Sequence, residues 1–218
     1  MFNPKLEILP PPQRTLWDEL KPTPKTFVLY GGTALALRLG HRQSEDFDFF
    51  STKSFNPKDL LSELPYLMNA VVGQLADNTL TCIVERQGRV QISFFGGLDL
   101  QRVHDPNTSA GNGVRVASLL DLAGCKAGTV QQRAVAKDYA DIAAIIKAGV
   151  NLQTALAAGG AVYGHRFDPG ITLRALTTFD EGNLRQVDAL TKKELLVAVS
   201  MVRLEEIPVL NGKPGVCE

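Results

Sequence analysis

The stretch that decides the fold is residues 27–50, FVLYGGTALALRLGHRQSEDFDFF. Phe27, Val28, Leu29 and Tyr30 are apolar and β-favouring, and they predict a strand. Gly31 and Gly32 predict a tight turn whose backbone comes close to a ligand. Thr33 opens a short helix over 34–39, and Gly40 ends it. A polar connection carrying Arg42 and Ser44 leads into a second strand over 46–50. Strand side chains alternate, so Asp46 and Asp48 share one face while Phe47 and Phe49 point into the other. The two acids then stand roughly 6.6 Å apart at Cα, at ~3.3 Å per residue. Carboxylates held that close repel, and a shared cation relieves them; hard oxygen ligands suit Mg²⁺ or Mn²⁺. An acidic strand end of no chemical importance is the bland alternative. Charge placed where a central strand wants apolar residues argues against it.

These residues resemble the nucleotidyltransferases of the DNA-polymerase-β superfamily. Within it they are most similar to the AbiEii/AbiGii-type toxins, where Gly-Gly-Thr-Ala-Leu precedes Arg-x-Ser-x-Asp-Phe-Asp-Phe. Here the positions are Gly31, Gly32, Thr33, Ala34, Leu35, then Arg42, Ser44, Asp46, Phe47, Asp48 and Phe49. The resemblance implies transfer of a nucleoside monophosphate from an NTP to an acceptor hydroxyl, with release of pyrophosphate. It implies as acceptor a tRNA or other RNA end, or a protein side chain. It also implies the toxin half of a pair with a cognate antitoxin. In such chemistry a metal bridges phosphate oxygens and offsets growing charge, which assigns Asp46 and Asp48 to the metal. Gly31, Gly32 and Thr33 offer backbone N–H groups and a helix N-terminus to the triphosphate, with a hydroxyl contact from Thr33. Arg42 neutralises phosphate and Ser44 pins the loop.

Downstream, 54–67 has helical leucine spacing (Leu60, Leu61, Leu64), and 69–74, 79–86 and 89–95 read as strands. Asp77-Asn78 and Gln87-Gly88 supply the turns between them. Many superfamily members place a third carboxylate on such a later strand. Gln91 and Ser93 share the expected face instead, and neither is acidic. Residues 104–114, HDPNTSAGNGV, read as a polar linker. The expected organisation is therefore a nucleotidyltransferase-like domain over 1–104 and a helical domain over 115–218. The fold class is α/β (α+β): a small mixed sheet in the first lobe, and a helical second lobe that closes the cleft.

In the second half, Ser118 with Asp121 resembles a capping box for a helix over 119–130. A second helix follows over 136–148, closed by Gly149. The AbiEii resemblance extends here: Lys126, Arg133, Lys137, Asp138, Asp141 and Ile142 match its Lys, Arg and (Arg/Lys)-Asp-x-x-Asp-Ile positions. It implies that Lys126 and Asp138 are active-site residues, Lys126 offsetting phosphate charge and Asp138 serving as the third acid. Taken alone, the same residues read as an interhelical salt bridge. Further helices are expected over 152–158, 173–179 and 192–204, the last with Thr191 and Glu194 as a capping box. Near the start, 14–20 predicts a helix between proline joints, with Trp17 anchoring it to the sheet.

The chain has 218 residues, 44% hydrophobic and 21% charged, with a formal net charge of 0. That is ordinary for a globular protein and gives no global attraction to nucleic acid. Three separated cysteines (Cys82, Cys125, Cys217) fit reduced thiols rather than a disulfide framework or zinc cluster. No membrane-length apolar run or leader pattern is seen, so a cytoplasmic protein is expected. The rival reading keeps the fold without turnover: a nucleotide-binding or regulatory protein, favoured by the neutral Gln91 and Ser93. A sugar-nucleotide glycosyltransferase and a non-enzymatic interaction module are the more distant rivals.

Overall fold

The structure is a computed structural model and describes residues 1–216, so Cys217 lies outside the described residues. The chain divides into two compact units. The first comprises Met1–Leu100 with Asp105–Ser118 and the segment from Pro214; the second comprises Gln101–His104 and Leu119–Lys213.

The first unit is built on a seven-stranded sheet. Its centre is β1 (Val28–Tyr30) antiparallel to β2 (Asp46–Phe50), joined by helix α2 (Gly31–Leu39). Both glycines fall inside the first turn of α2 rather than before it. Gly40 ends the helix in the left-handed region (φ +68), as its lack of a Cβ allows. Lys5 Nζ donates to the Leu39 carbonyl at 2.8 Å there. On β2, Phe47 and Phe49 are buried and the residues between them half-buried, the alternation expected of the sequence. Phe47 stacks on Trp17 of α1 (Pro11–Glu19) and Phe49 on Phe94, with ring centroids 6.0 and 5.2 Å apart. Trp17 is thus the packing anchor its size suggests.

Beside β2, in parallel, runs β5 (Arg89–Phe95), followed by β4 (Thr79–Glu85) and edge strand β3 (Val71–Ala76). The hairpin turns hold Asn78, Gln87 and Gly88 at positive φ, as two-residue connections require. The helix expected over 54–67 is shorter: α3 (Pro57–Glu63) is capped by the Asn56 side chain, and a 3-10 turn follows over Pro65–Leu67. The segment expected to be a linker, 104–114, carries one strand and leads into another, and from Asp105 on it belongs to the first unit. After a two-residue strand β6 (Gln101–Arg102), β7 (Asn107–Thr108) and β8 (Arg115–Val116) pair antiparallel, and β8 lies parallel to β1. Buried Asn112 fixes the turn between them. Its Oδ1 accepts from the Ser109 hydroxyl and, at 3.1 Å, from Val114 N, while its Nδ2 donates to Trp17 O at 2.7 Å. Two-residue strands are too short to show any period, so polar composition alone suggested a loop.

The second unit is helical: α4 (Leu119–Thr129), α5 (Ala136–Lys147), α6 (Leu152–Tyr163), α7 (Pro169–Ala175) and α8 (Ala189–Ser200); a two-residue strand, β9 (Lys213–Pro214), falls where the chain passes from this unit back to the first. Tyr139, Ile142, Leu156, Leu176, Leu184 and Leu195 form its core. α4 meets α6 backbone to backbone: a Cβ on Gly124 would stand 2.7 Å from the Ala158 carbonyl carbon. Caps fall earlier than expected. Asp188, not Thr191, caps α8, accepting from Thr191 N and Oγ1; Asp168 caps α7, accepting from Gly170 N. Asp121, in the first turn of α4, bonds back to the segment before the helix. Its carboxylate accepts the backbone N–H groups of Val103 (2.5 Å) and His104 (3.2 Å). Among the described residues no single helix is long and apolar enough to cross a membrane.

Candidate active site

The first turn of α2 is where the sequence-predicted residues of the first unit come together. Gly31 has φ +72, and a Cβ there would lie 2.7 Å from Asp48 Oδ2. A Cβ on Gly32 would lie 2.7 Å from Arg42 Nη2 and 3.0 Å from Ser44 Oγ. Gly31 is therefore favoured both by conformation and by space, and Gly32 by space alone. The result is a helix N-terminus with Asp48, Arg42 and Ser44 packed directly against bare backbone. Exposed N–H groups beside a guanidinium form a natural phosphate cradle. Arg42 also donates from Nη1 to Gln43 O at 2.8 Å, which holds its side chain along the loop.

Thr33 is placed differently from the expectation. Its side chain is buried, and its hydroxyl donates to the backbone carbonyl of Asp46 rather than pointing outward to a phosphate. Gln13 of α1 donates to the same hydroxyl at 3.4 Å. Sequence patterning gave no sign of Gln13; a glutamine in a short proline-flanked helix reads as a surface residue, yet it is 1% exposed.

The register fixes what surrounds the two acids. Tyr30 lies opposite Asp48 on β1, while on β5 Gln91 lies beside Asp46 and Ser93 beside Asp48. The neutral pair therefore stands at the two positions adjacent to the acids. Thr81 donates to Ser93 Oγ at 3.3 Å. The Asp46 carboxylate has no hydrogen-bond partner among the described residues, and no group of three or more His, Cys, Asp or Glu residues there is arranged to hold a metal. Two half-buried carboxylates on one strand face still fit Mg²⁺ or Mn²⁺. Such ions usually bind through one or two carboxylates, completed by waters and substrate phosphates rather than by an all-protein cage.

Lys126, Asp138 and Asp141 come together in the second unit. Lys126 Nζ lies 2.7 Å from Asp138 Oδ1 and 2.6 Å from Asp141 Oδ2, and both aspartate side chains are 0% exposed. Arg133 donates to Asp138 from Nε at 2.8 Å and from Nη2 at 3.1 Å. Two cations, buried Lys126 and half-exposed Arg133, face two buried carboxylates. Burial works to raise the Asp138 pKa, but Arg133 and Lys126 outweigh it and hold the carboxyl below its ordinary value. Both Asp138 oxygens are engaged, and a carboxylate stabilised in this way is a poor proton acceptor. The cluster ties α4 to α5.

Residues 14–202 match the AbiEii family, described as the nucleotidyl transferase AbiEii toxin of type IV toxin–antitoxin systems. The chain belongs to the AbiEii family. This AbiEii protein is also similar, at 31% identity over 118 residues, to an uncharacterised protein of Aquifex aeolicus (strain VF5). That match covers 53% of this chain and 55% of the other, so the chain spans about half the length of the curated relative it matches. Among solved structures it resembles MenT4, a nucleotidyltransferase toxin of Mycobacterium tuberculosis H37Rv. That likeness has a TM-score of 0.58 and 14% identity, over 88% of this chain and 84% of that one. It also resembles a chain described as a nucleotidyltransferase from H. pylori, with a TM-score of 0.54 and 21% identity over 86% and 90% of the two chains. At such identities the structures show a shared nucleotidyltransferase fold.

Proposed function

We propose that this AbiEii protein is a metal-dependent nucleotidyltransferase. It moves a nucleoside monophosphate from an NTP to an acceptor hydroxyl on RNA (a tRNA end among them) or on protein, as the toxin of a pair with a cognate antitoxin. The observation that carries the reading is the packing of Asp48 against Gly31, and of Arg42 and Ser44 against Gly32, at one helix N-terminus. Asp46 and Asp48 would hold Mg²⁺ or Mn²⁺, which supplies charge neutralisation at the phosphates when bound. The backbone of Gly31, Gly32 and Thr33 receives the triphosphate. Arg42 offsets its charge, and Ser44 keeps Arg42 and the loop in place. The acceptor oxygen bonds to the α-phosphorus as the bond to pyrophosphate breaks, and the acceptor proton passes to solvent or a base. From the second unit, the family resemblance adds Lys126 and Asp138 as catalytic residues. The paired geometry favours a role for Asp138 in orienting Lys126 over one as the proton-accepting base.

The second reading, nucleotide binding without turnover, draws on one observation: Gln91 and Ser93 occupy the β5 positions beside the acids. One experiment separates the two. Each of the common NTPs, labelled at the α-phosphate, is incubated with Mg²⁺, total RNA and the protein, alongside Asp46→Ala/Asp48→Ala. Label on RNA or protein that vanishes in the variant supports transfer and names the acceptor class. Metal-dependent NTP binding with no label in any arm supports the inactive reading.

A further inference from the structure

The buried chain of hydrogen bonds behind Asp46 has no assigned role. Its direction is fixed by proton counting. The carbonyl of Asp46 only accepts, so the single Thr33 hydroxyl proton goes to it. The Thr33 oxygen is then an acceptor, and the Gln13 atom facing it must be the amide Nε2. That leaves Gln13 Oε1 buried with no hydrogen-bond partner. A buried acceptor without a partner is destabilising, so stability alone does not explain a glutamine here; an apolar side chain of similar size would hold the fold at least as well.

The geometry points to Gln13 as a positioning residue for the metal site. Through the Thr33 hydroxyl it fixes the Asp46 carbonyl, and with it the direction in which the Asp46 carboxylate leaves the strand. The inference rests on the metal-binding reading of Asp46 and Asp48. The arrangement ties three elements to one ligand: α1 supplies Gln13, the first turn of α2 supplies Thr33, and β2 supplies Asp46. Groups that orient a metal ligand from behind typically change affinity or activity about 10–100-fold when removed.

The test is binding of Mn²⁺ alone to the full chain, without nucleotide, followed by electron paramagnetic resonance and calorimetry. Thermal melting of each variant is measured in parallel. Thr33→Val weakens Mn²⁺ about tenfold, and Thr33→Ser, which keeps the hydroxyl, restores it to within about twofold. Gln13→Met weakens Mn²⁺ several-fold while its melting temperature stays level or rises, because the unpartnered oxygen is gone. Gln13→Met combined with Thr33→Val binds like Thr33→Val alone, since both cut one chain. A role in stability only would do the reverse, lowering the melting temperature and leaving Mn²⁺ affinity unmoved; that outcome overturns the inference. Should Thr33→Val not fold, Gln13→Met against wild type decides the same question. Mn²⁺ binding abolished by Asp46→Asn but indifferent to Gln13→Met and Thr33→Val removes the relay and keeps the metal site. No Mn²⁺ binding by the wild type removes both.

Discussion

Gly31→Ala is the substitution that most directly probes the site. The change adds one carbon and has two separable effects. The first is conformational: an alanine at φ +72 costs about 1–2 kcal/mol. For a chain of this length that lowers the melting temperature by about 2–8 °C. The second is local. The new Cβ would sit 2.7 Å from Asp48 Oδ2, which is 0.7 Å short of the 3.4 Å where ordinary contact begins (3.4 − 2.7). The cheapest relief is a swing of the Asp48 carboxylate away from the helix end. Misplacement of a reacting group by about 1 Å costs on the order of 100-fold in rate, so transfer activity should fall about 10–100-fold. Gly111→Ala is the control: it has φ +93, so it carries the backbone cost, but its Cβ would meet nothing within 4 Å. Urea denaturation and NTP-transfer rates are measured on both. Comparable loss of stability with activity lost only in Gly31→Ala is the expected pattern. Wild-type activity in Gly31→Ala, or equal activity losses in the two variants, refutes the argument.

Asp138→Ala leaves a buried lysine with half its counter-charge, and is expected to cost about 3 kcal/mol in urea denaturation. The pH dependence follows from the depressed carboxyl: its stabilisation is present above the unfolded value of 3.8 and is lost as pH falls through the lower folded value. The stability gap between wild type and Asp138→Asn should therefore narrow on acidification below about pH 4; a gap that widens there contradicts the ion-pair account. Burial pushes the Cys125 thiol up to about 12, and burial also raises Cys82. Neither should alkylate in the native protein at pH 8, and both should in denaturant, as read by peptide mass spectrometry.

Much of the site was legible because it is local. A period of two placed Asp46 and Asp48 on one face, and the same alternation on 89–95 placed Gln91 and Ser93 on one face; the parallel register then set them beside the acids. Gly40, Asn78 and Gly88 mark chain reversals that few other residues tolerate. What was not legible depends on contacts far apart in sequence. Gln13 and Thr33 are 20 residues apart. Thr33 looked like a phosphate contact because a hydroxyl at a helix start usually faces outward; here the Asp46 carbonyl draws it in. The spacing of Asp121 from Ser118 suggests a cap, but nothing local shows that its carboxylate also takes the backbone N–H groups of Val103 and His104. Strands of two residues between 107 and 116 leave no periodic trace at all.

The α4–α6 contact has a consequence for how the second unit opens. Where Gly124 meets Ala158 no side chain separates the helices, and Gly128 leaves room for the Tyr163 ring. Alanine and glycine have no rotamers to freeze, so docking this pair forfeits little side-chain entropy. The same composition makes α6, with Gly159 and Gly160 in its middle, a weak helix by itself. α6 thus depends on its neighbour for its own shape. In hydrogen exchange its central amides should be released together with those of α4, as one cooperative block carrying Lys126 with it.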